Sequence, residues 1–377
     1  MVTGMRPFFK PSVNNVMKMR MLISGSTKNT NTIGAFINRH LDSSIDFEIL
    51  TFHDRFSALL QSPGYKLLYR FWPGYVVSRM DAEFIHQVMT FKPDVVIVFK
   101  GMEISKNSLN QVRKLGVKLV NYNFDHPFNH FSRGTGNRFV TEAIPCYDLH
   151  ISYSTFIASQ LNERYKVPTA VIPFGYHLTN SQFEEVMNDD YAEIPEICFV
   201  GNPDEWRLEL LNKLMDEKLR VHVYGFGWDR HLPPSEYLVI HPPKAPGSYW
   251  SDPLDFWRVL RQYRVQLNFF RPHNEGSHNL RTFEVPAVGG ILLTPDSIEQ
   301  KQFFESEKEV FFYTDFESLA NQSRKILAMT PHEIKQIRNH ARQRSVAENY
   351  SYERRTHDML KLIRNIVTNH RIANAGI

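Results

Sequence analysis

The chain has 377 residues, of which 42% are apolar, 13% aromatic and 22% charged, the profile of a globular protein long enough for two domains of roughly equal size, each with a core of its own. A formal charge of +4 and a pI near 8.8 suit anionic ligands such as nucleotide diphosphates and do not by themselves require DNA or RNA. The two cysteines, Cys146 and Cys198, are too few and too far apart for a disulfide framework or a cysteine zinc site, no apolar run approaches the ~18 residues of a spanning helix, and the N-terminus lacks a signal-peptide core, so a cytoplasmic protein is expected.

Residues 1–18 read as a flexible arm, and the folded chain is expected to start at MRMLISG, a strand that runs into Gly25 and Ser26 and then a helical pattern. Phe47 to Phe52 reads as a second strand, and DVVIVFKG, ending at Gly101, as a third, apolar enough to be buried on both faces of a parallel sheet. A helix follows from Ser105 to Leu115. KLVNYNFDHP then gives a strand whose end carries Asp125 and His126, with Pro127 blocking its extension. YDLHISYS, a helix over about Phe156 to Tyr165, and TAVIPFGYH complete this half. The polar, acidic stretch 178–195 reads as a linker.

A second alternating series starts with EICFVGN, followed by a helix from Glu205 to Glu217 and the strand RVHVYGFGW. Residues 229–250 contain five prolines and read mostly as loop. After a helix over Asp252 to Tyr263 comes the segment LNFFRPHNEGSHNLRTFEVPAVGGILLTPDS, a buried strand, a polar loop, a short helix ended by Gly289 and Gly290, and another strand. A strand at Val310 to Tyr313, a helix from Glu317 to Ala328 and a basic helical tail broken near Asn349 to Ser351 close the chain. Strands alternating with helices predict an α/β protein with two doubly wound domains facing across a cleft, one over 19–177 and one over 196–350, and a C-terminal helix over 351–377 that packs back on the first. Ligands are expected at the carboxyl ends of the strands.

The segment NLRTFEVPAVGGILLT resembles the RTFE-x-PA-x-G pattern of the CgeB-like (spore-maturation type) glycosyltransferases, a branch of the GT-B fold. VNYNFDHP, YDLHISYS, VIPFGYH, CFVGN with its following Trp-Arg, and SYERR resemble further parts of that family in the same order, so the likeness covers about Val95 to Arg355. It implies a nucleotide-diphosphate sugar held by the second domain and an acceptor held mainly by the first. Glu284 would accept hydrogen bonds from ribose hydroxyls, though an acid near a helix start is also a common response to the helix dipole. Pro286 is expected in the first turn, where its missing amide hydrogen has no cost.

Arg281 and Arg207 would neutralise the diphosphate, the bland alternative being surface salt bridges, and Asn279, Gly201, Thr282 and Phe283 would complete the donor site. Backbone amides around Ser277 to Asn279 offer a further anion site. Related retaining enzymes carry two glutamates, and here the first position falls on Gly276. Asp125 and His126 are the candidate catalytic pair of an inverting reaction, with Gly25, Ser26, His130 and Arg133 on the acceptor side. No metal and no cofactor is expected, since arginines and helix termini can hold the diphosphate.

Tyr65 to Arg79 interleaves aromatic and basic residues and reads as an acceptor platform, a peripheral membrane contact or ordinary packing. The acceptor is open among surface polysaccharide, protein, lipid-linked sugar and a modified DNA base, the last being the one reading that involves nucleic acid. Two other functions stay open. One is a nucleotide-sugar epimerase or NAD-dependent enzyme, against which no G-x-G-x-x-G follows any strand; the other is a non-catalytic carbohydrate-binding or assembly protein.

Overall fold

In the computed structural model the described residues are 19–24, 39–41, 47–51, 62–130, 135–189, 192–244, 249–271 and 276–375. The N-terminal half carries β1 (Met19–Ser24), β2 (Phe47–Thr51), α1 (Pro63–Phe71), α2 (Pro73–Phe91), β3 (Val95–Phe99), α3 (Lys106–Lys114), β4 (Lys118–Asn123), α4 (Arg138–Ala143), β5 (Leu149–Ser152), α5 (Thr155–Tyr165) and β6 (Thr169–Val171). Its strands form one parallel sheet in the order β2-β1-β3-β4-β5-β6. The apolar run of β3 is buried at every position, as a central strand covered by helices on both faces requires.

The connection to the second half is partly helical: α6 (Asn180–Asn188) occupies half of the stretch expected as a linker, with Thr179 closing a capping box on Gln182. There follow β7 (Ile194–Val200), α7 (Glu205–Asp216), β8 (Val221–Tyr224), β9 (Leu238–His241), α8 (Asp255–Gln262), β10 (Tyr263–Leu267), α9 (Leu280–Ala287), β11 (Leu292–Pro295), α10 (Gln300–Phe303), β12 (Phe311–Tyr313), α11 (Phe316–Leu327), α12 (Pro331–Ala347) and α13 (Tyr352–Ala375). This sheet is also parallel, in the order β12-β11-β10-β7-β8-β9, the doubly wound dinucleotide-fold order. The described residues of 229–250 are mostly irregular, as expected, but LVIH within them forms β9, a half-buried edge strand with the prolines outside it. Pro286 is likewise not in a first turn but in the last turn of α9, where the helix ends anyway.

The halves share a core. One buried cluster joins Met21, Val120 and Tyr122 of the first sheet to Phe283, Tyr350 and Tyr352, and α13 contributes Met359, Ile363 and Val367 to it. The crossing is tight: Tyr176 donates its amide to Tyr350 O at 3.1 Å, and Tyr352 returns one to Tyr176 O at 2.9 Å. A Cβ on Gly175 would stand 2.6 Å from Tyr350 O, so only glycine fits where the two segments pass.

Candidate active site

In the C-terminal sheet the strand order reverses between β7 and β10, which are neighbours in space but leave toward opposite sides of the sheet. Such a reversal opens a crevice at the strands' carboxyl ends. Arginines gather at this one. Arg207 lies in the first turn of α7, Arg281 in the first turn of α9, and Arg271 in the loop after β10. Arg207 donates to Asn202 O at 2.7 Å and lies 3.4 Å from Asp204, which Arg271 meets at the same distance. Burial brings the Arg207 pKa down to about 10, against the attraction of Asp204 and with further lowering from Arg271 and Arg281.

Arg281 donates to Val200 O at 3.3 Å, stands 4.8 Å from the centre of the Phe256 ring, and is ion-paired with Glu284. The Nε atoms of Arg207 and Arg281 are buried without a hydrogen-bond partner. An unsatisfied buried donor costs about 1–3 kcal/mol.

The other sequence-predicted donor residues fall into two groups. Asn279 caps α9 through Arg281 N and exchanges paired amide bonds of 3.0 and 2.8 Å with Asn268 at the end of β10, which holds the helix against the crevice. Glu284 is the fifth residue of α9, not its start, and reaches Arg281 across one turn. Thr282 and Phe283 do not line the crevice, because both are fully buried: Thr282 Oγ1 donates to Gln300 at 2.8 Å, and Phe283 packs in a ring cluster with Phe303 and Tyr350. Gly201 is needed at its turn, since a Cβ there would come 2.8 Å from the Phe199 ring.

Between the halves lies a cavity of about 800 Å³. Its N-terminal wall includes His126, Phe128, Thr155, Phe156 and Arg164, and its C-terminal wall Gly276, Ile298 and Glu299. It does not include Glu284 or Arg281; Gly276, in its wall, lies three residues before Asn279, which caps α9. Glu299 is sequestered at its wall. Its carboxylate accepts from Ser154 Oγ, Thr155 N and Oγ1, Ser277 Oγ and His278 Nδ1 at 2.6–2.9 Å, so it holds the N-terminus of α5 against the loop before α9. Burial works to raise the Glu299 pKa, but the hydrogen bonds from His278, Ser277 and Thr155 outweigh it and hold it at about 2.

His278 takes the Phe174 amide on Nε2 at 3.3 Å, which leaves Nδ1 to donate to Glu299, and burial lowers its pKa. Around the expected anion site the Ser277 hydroxyl and the His278 ring serve this internal carboxylate, and the Asn279 amide donates to Thr282 Oγ1 within the cap.

The predicted pair after β4 separates. His126 lines the cavity with its ring edge-on to Phe128 at 4.5 Å, whereas Asp125 forms an ion pair with Lys100 at 2.5 Å and is not part of the cavity wall. His130 turns away as well: its Nε2 meets Thr141 at 3.1 Å, its ring fills the space over Gly136, and burial lowers its pKa. Gly25, Ser26 and Arg133 lie outside the described residues. Sequence reasoning missed Arg271 and Glu299. Arg271 was visible as a cation just past a strand, while Glu299 carried no local signal.

Residues 205–361 match the family model described as glycosyl transferase-like. No curated protein shows a significant match to the sequence. Among solved structures, the chain is similar to sucrose-phosphate synthase of Thermosynechococcus elongatus, with a TM-score of 0.64 at 12% identity over 93% of this chain and 100% of that one. It is also similar to HepE of Anabaena in complex with UDP-glucose, with a TM-score of 0.60 at 13% identity over 92% and 100%. A protein of Listeria monocytogenes assigned as a UDP-N-acetylglucosamine 2-epimerase gives 0.57 at 13% identity over 93% and 97%. At these identities the likeness establishes the fold. The architecture is GT-B, and the stretch 205–361 carries the likeness to glycosyl transferases.

Proposed function

We propose that the chain transfers a glycosyl group from a nucleotide-diphosphate sugar, held in the crevice of the C-terminal domain, to an acceptor hydroxyl presented from the N-terminal side of the cleft. The observation that carries this reading is the gathering of Arg207, Arg271 and Arg281 at the strand-order reversal, two of them with buried Nε donors awaiting an acceptor. In the reaction the acceptor oxygen bonds to the anomeric carbon while the bond from that carbon to the diphosphate oxygen breaks. The leaving diphosphate gains negative charge, and fixed guanidinium donors stabilise that charge more than they stabilise the bound donor.

These cations supply the charge for which other enzymes recruit a divalent metal, which supports a metal-independent reaction. Glu284 accepts from the ribose hydroxyls once it releases Arg281 to the phosphates. Gly276 offers the sugar no carboxylate, and removal of the acceptor proton falls to His126. The ordered motifs from Val95 to Arg355 favour the CgeB-like branch of the class.

The likeness to a protein assigned as an epimerase keeps a second reading in view, inversion of the donor sugar without transfer. A donor screen reading nucleotide diphosphate release, followed by anomeric NMR of the products, separates the two. Failure of the protein to bind any nucleotide diphosphate in calorimetry would overturn the donor site itself.

A further inference from the structure

The elbow between α1 and α2 has a composition that neither the crevice nor the cavity uses. Trp72 ends α1 and precedes Pro73, the first residue of α2, so the two helices meet at an angle with the indole at the corner. Around that corner Leu67, Phe71, Trp72 and Tyr75 are 58%, 59%, 63% and 57% exposed, a density of large apolar groups that a surface in water does not ordinarily keep. The inner face of the same stretch is conventional: Val76 and Met80 are buried in a cluster with Leu109 and Val112.

The charges are all of one sign. Lys66, Arg70 and Arg79 are exposed, and between Ser62 and Met80 there is no acidic residue. Aromatic and aliphatic side chains beside cations, with Glu103 confined to the Tyr65 and Tyr69 side of α1, match the boundary between lipid headgroups and acyl chains. No helix among the described residues is long and apolar enough to cross a membrane, so a contact of this kind lies on the bilayer surface.

We infer that this elbow is a docking face for an anionic phospholipid bilayer. Its position gives the contact a consequence. Tyr69 donates to Met102 O at 3.0 Å just past β3, and Asn137 at the start of α4 donates to both Tyr69 Oη and Met102 O at 2.7 and 2.9 Å. These bonds hold the elbow on the carboxyl-end rim of the N-terminal sheet, the rim from which His126 enters the cleft. Docking therefore turns that rim toward the lipid, and a lipid-linked sugar becomes the acceptor class to test first, a corollary that rests on the transferase reading.

The test is co-sedimentation of the full chain with phosphatidylcholine vesicles, with and without phosphatidylglycerol, in the absence of donor and acceptor. Tighter binding to the anionic vesicles, weakened by salt, is expected. Phe71→Ser with Trp72→Ser, and separately Lys66→Glu with Arg70→Glu, should each weaken it by about tenfold or more. All four positions are solvent-exposed, so circular dichroism should be unchanged. The inference is overturned by absence of binding to either vesicle or by equal partition of the parent and both variants. It is also overturned if these substitutions instead abolish self-association in ultracentrifugation or binding to an oligonucleotide, which would assign the face to a second copy or to nucleic acid. Because no turnover is read, vesicle binding stands or falls separately from the donor site.

Discussion

Arg281 is paired with Glu284 one turn further along α9, so the cation suited to a diphosphate is neutralised by the carboxylate suited to a ribose. The two groups are exchangeable partners in one crevice. Removing the carboxylate should therefore have opposite effects on two ligands. Glu284→Ala should weaken binding of a nucleoside diphosphate by about 10- to 100-fold, the equivalent of one or two charge-assisted hydrogen bonds. The same substitution should tighten inorganic pyrophosphate, which meets a freed guanidinium and has no ribose to lose. Calorimetry with both ligands reads the pair, and parallel weakening of the two would show that Glu284 only orders the crevice.

Separation of His126 from Asp125 leads to a kinetic contrast. His126→Ala should lower kcat by about 10²–10⁴-fold with little change in donor affinity, the range for loss of a general base. Asp125→Asn, which affects a residue already committed to Lys100, should change kcat far less. Comparable losses in the two variants would argue that the ion pair is itself part of the chemistry.

Glu299 satisfies donors from both halves, so its loss should register as stability. Glu299→Ala strands Ser154, Thr155, Ser277 and His278 without their acceptor, at about 2–5 kcal/mol. Glu299→Gln should recover part of this, because one of its terminal atoms still accepts. Urea unfolding of the three proteins gives the order parent, Gln, Ala; a parent-like alanine variant would remove Glu299 from any role at the junction.

Acid should weaken the fold in two stages. His150, buried on β5, has its pKa lowered by burial from 6.5 to about 4, so the unfolded chain takes up its proton first. Its contribution is complete above pH 6.5 and is lost as the pH falls from 6.5 toward 4. Glu299, with its carboxyl depressed from 4.5 to about 2, contributes above pH 4.5 and loses that contribution between 4.5 and 2. Denaturation midpoints measured across this range should decline in both windows. His150→Phe should reduce the slope of the upper window, which His177 and His241 share, and leave the lower one, and a midpoint independent of pH between 7 and 4.5 would contradict the assignment.

The strands were legible in the sequence because parallel strands buried on both faces are near-continuous apolar runs, as VVIVF and ICFV are. β9 escaped because LVIH is a short edge strand among prolines, where composition speaks for loop. Arg207, Arg281 and Glu284 were singled out by motif likeness and by their place after strands. Thr282 and Phe283 were misplaced because adjacent residues on a short helix point to different sides, and a motif does not say which side faces the ligand. Glu299 was invisible for a plainer reason: Thr155 lies 144 residues away from it in the chain, and only the folded arrangement brings them together.

The double crossing at Gly175–Tyr176 and Tyr350–Tyr352 limits how the cleft can work. Two covalent connections laid side by side and hydrogen-bonded to each other act as the leaves of one hinge. Rotation about their common line would leave these amide bonds intact, whereas sliding the halves past each other would have to break them. Phe156 and Ile298 stand exposed at the mouth of the cavity, beside the Thr155–Glu299 bonds that any such rotation would also have to break.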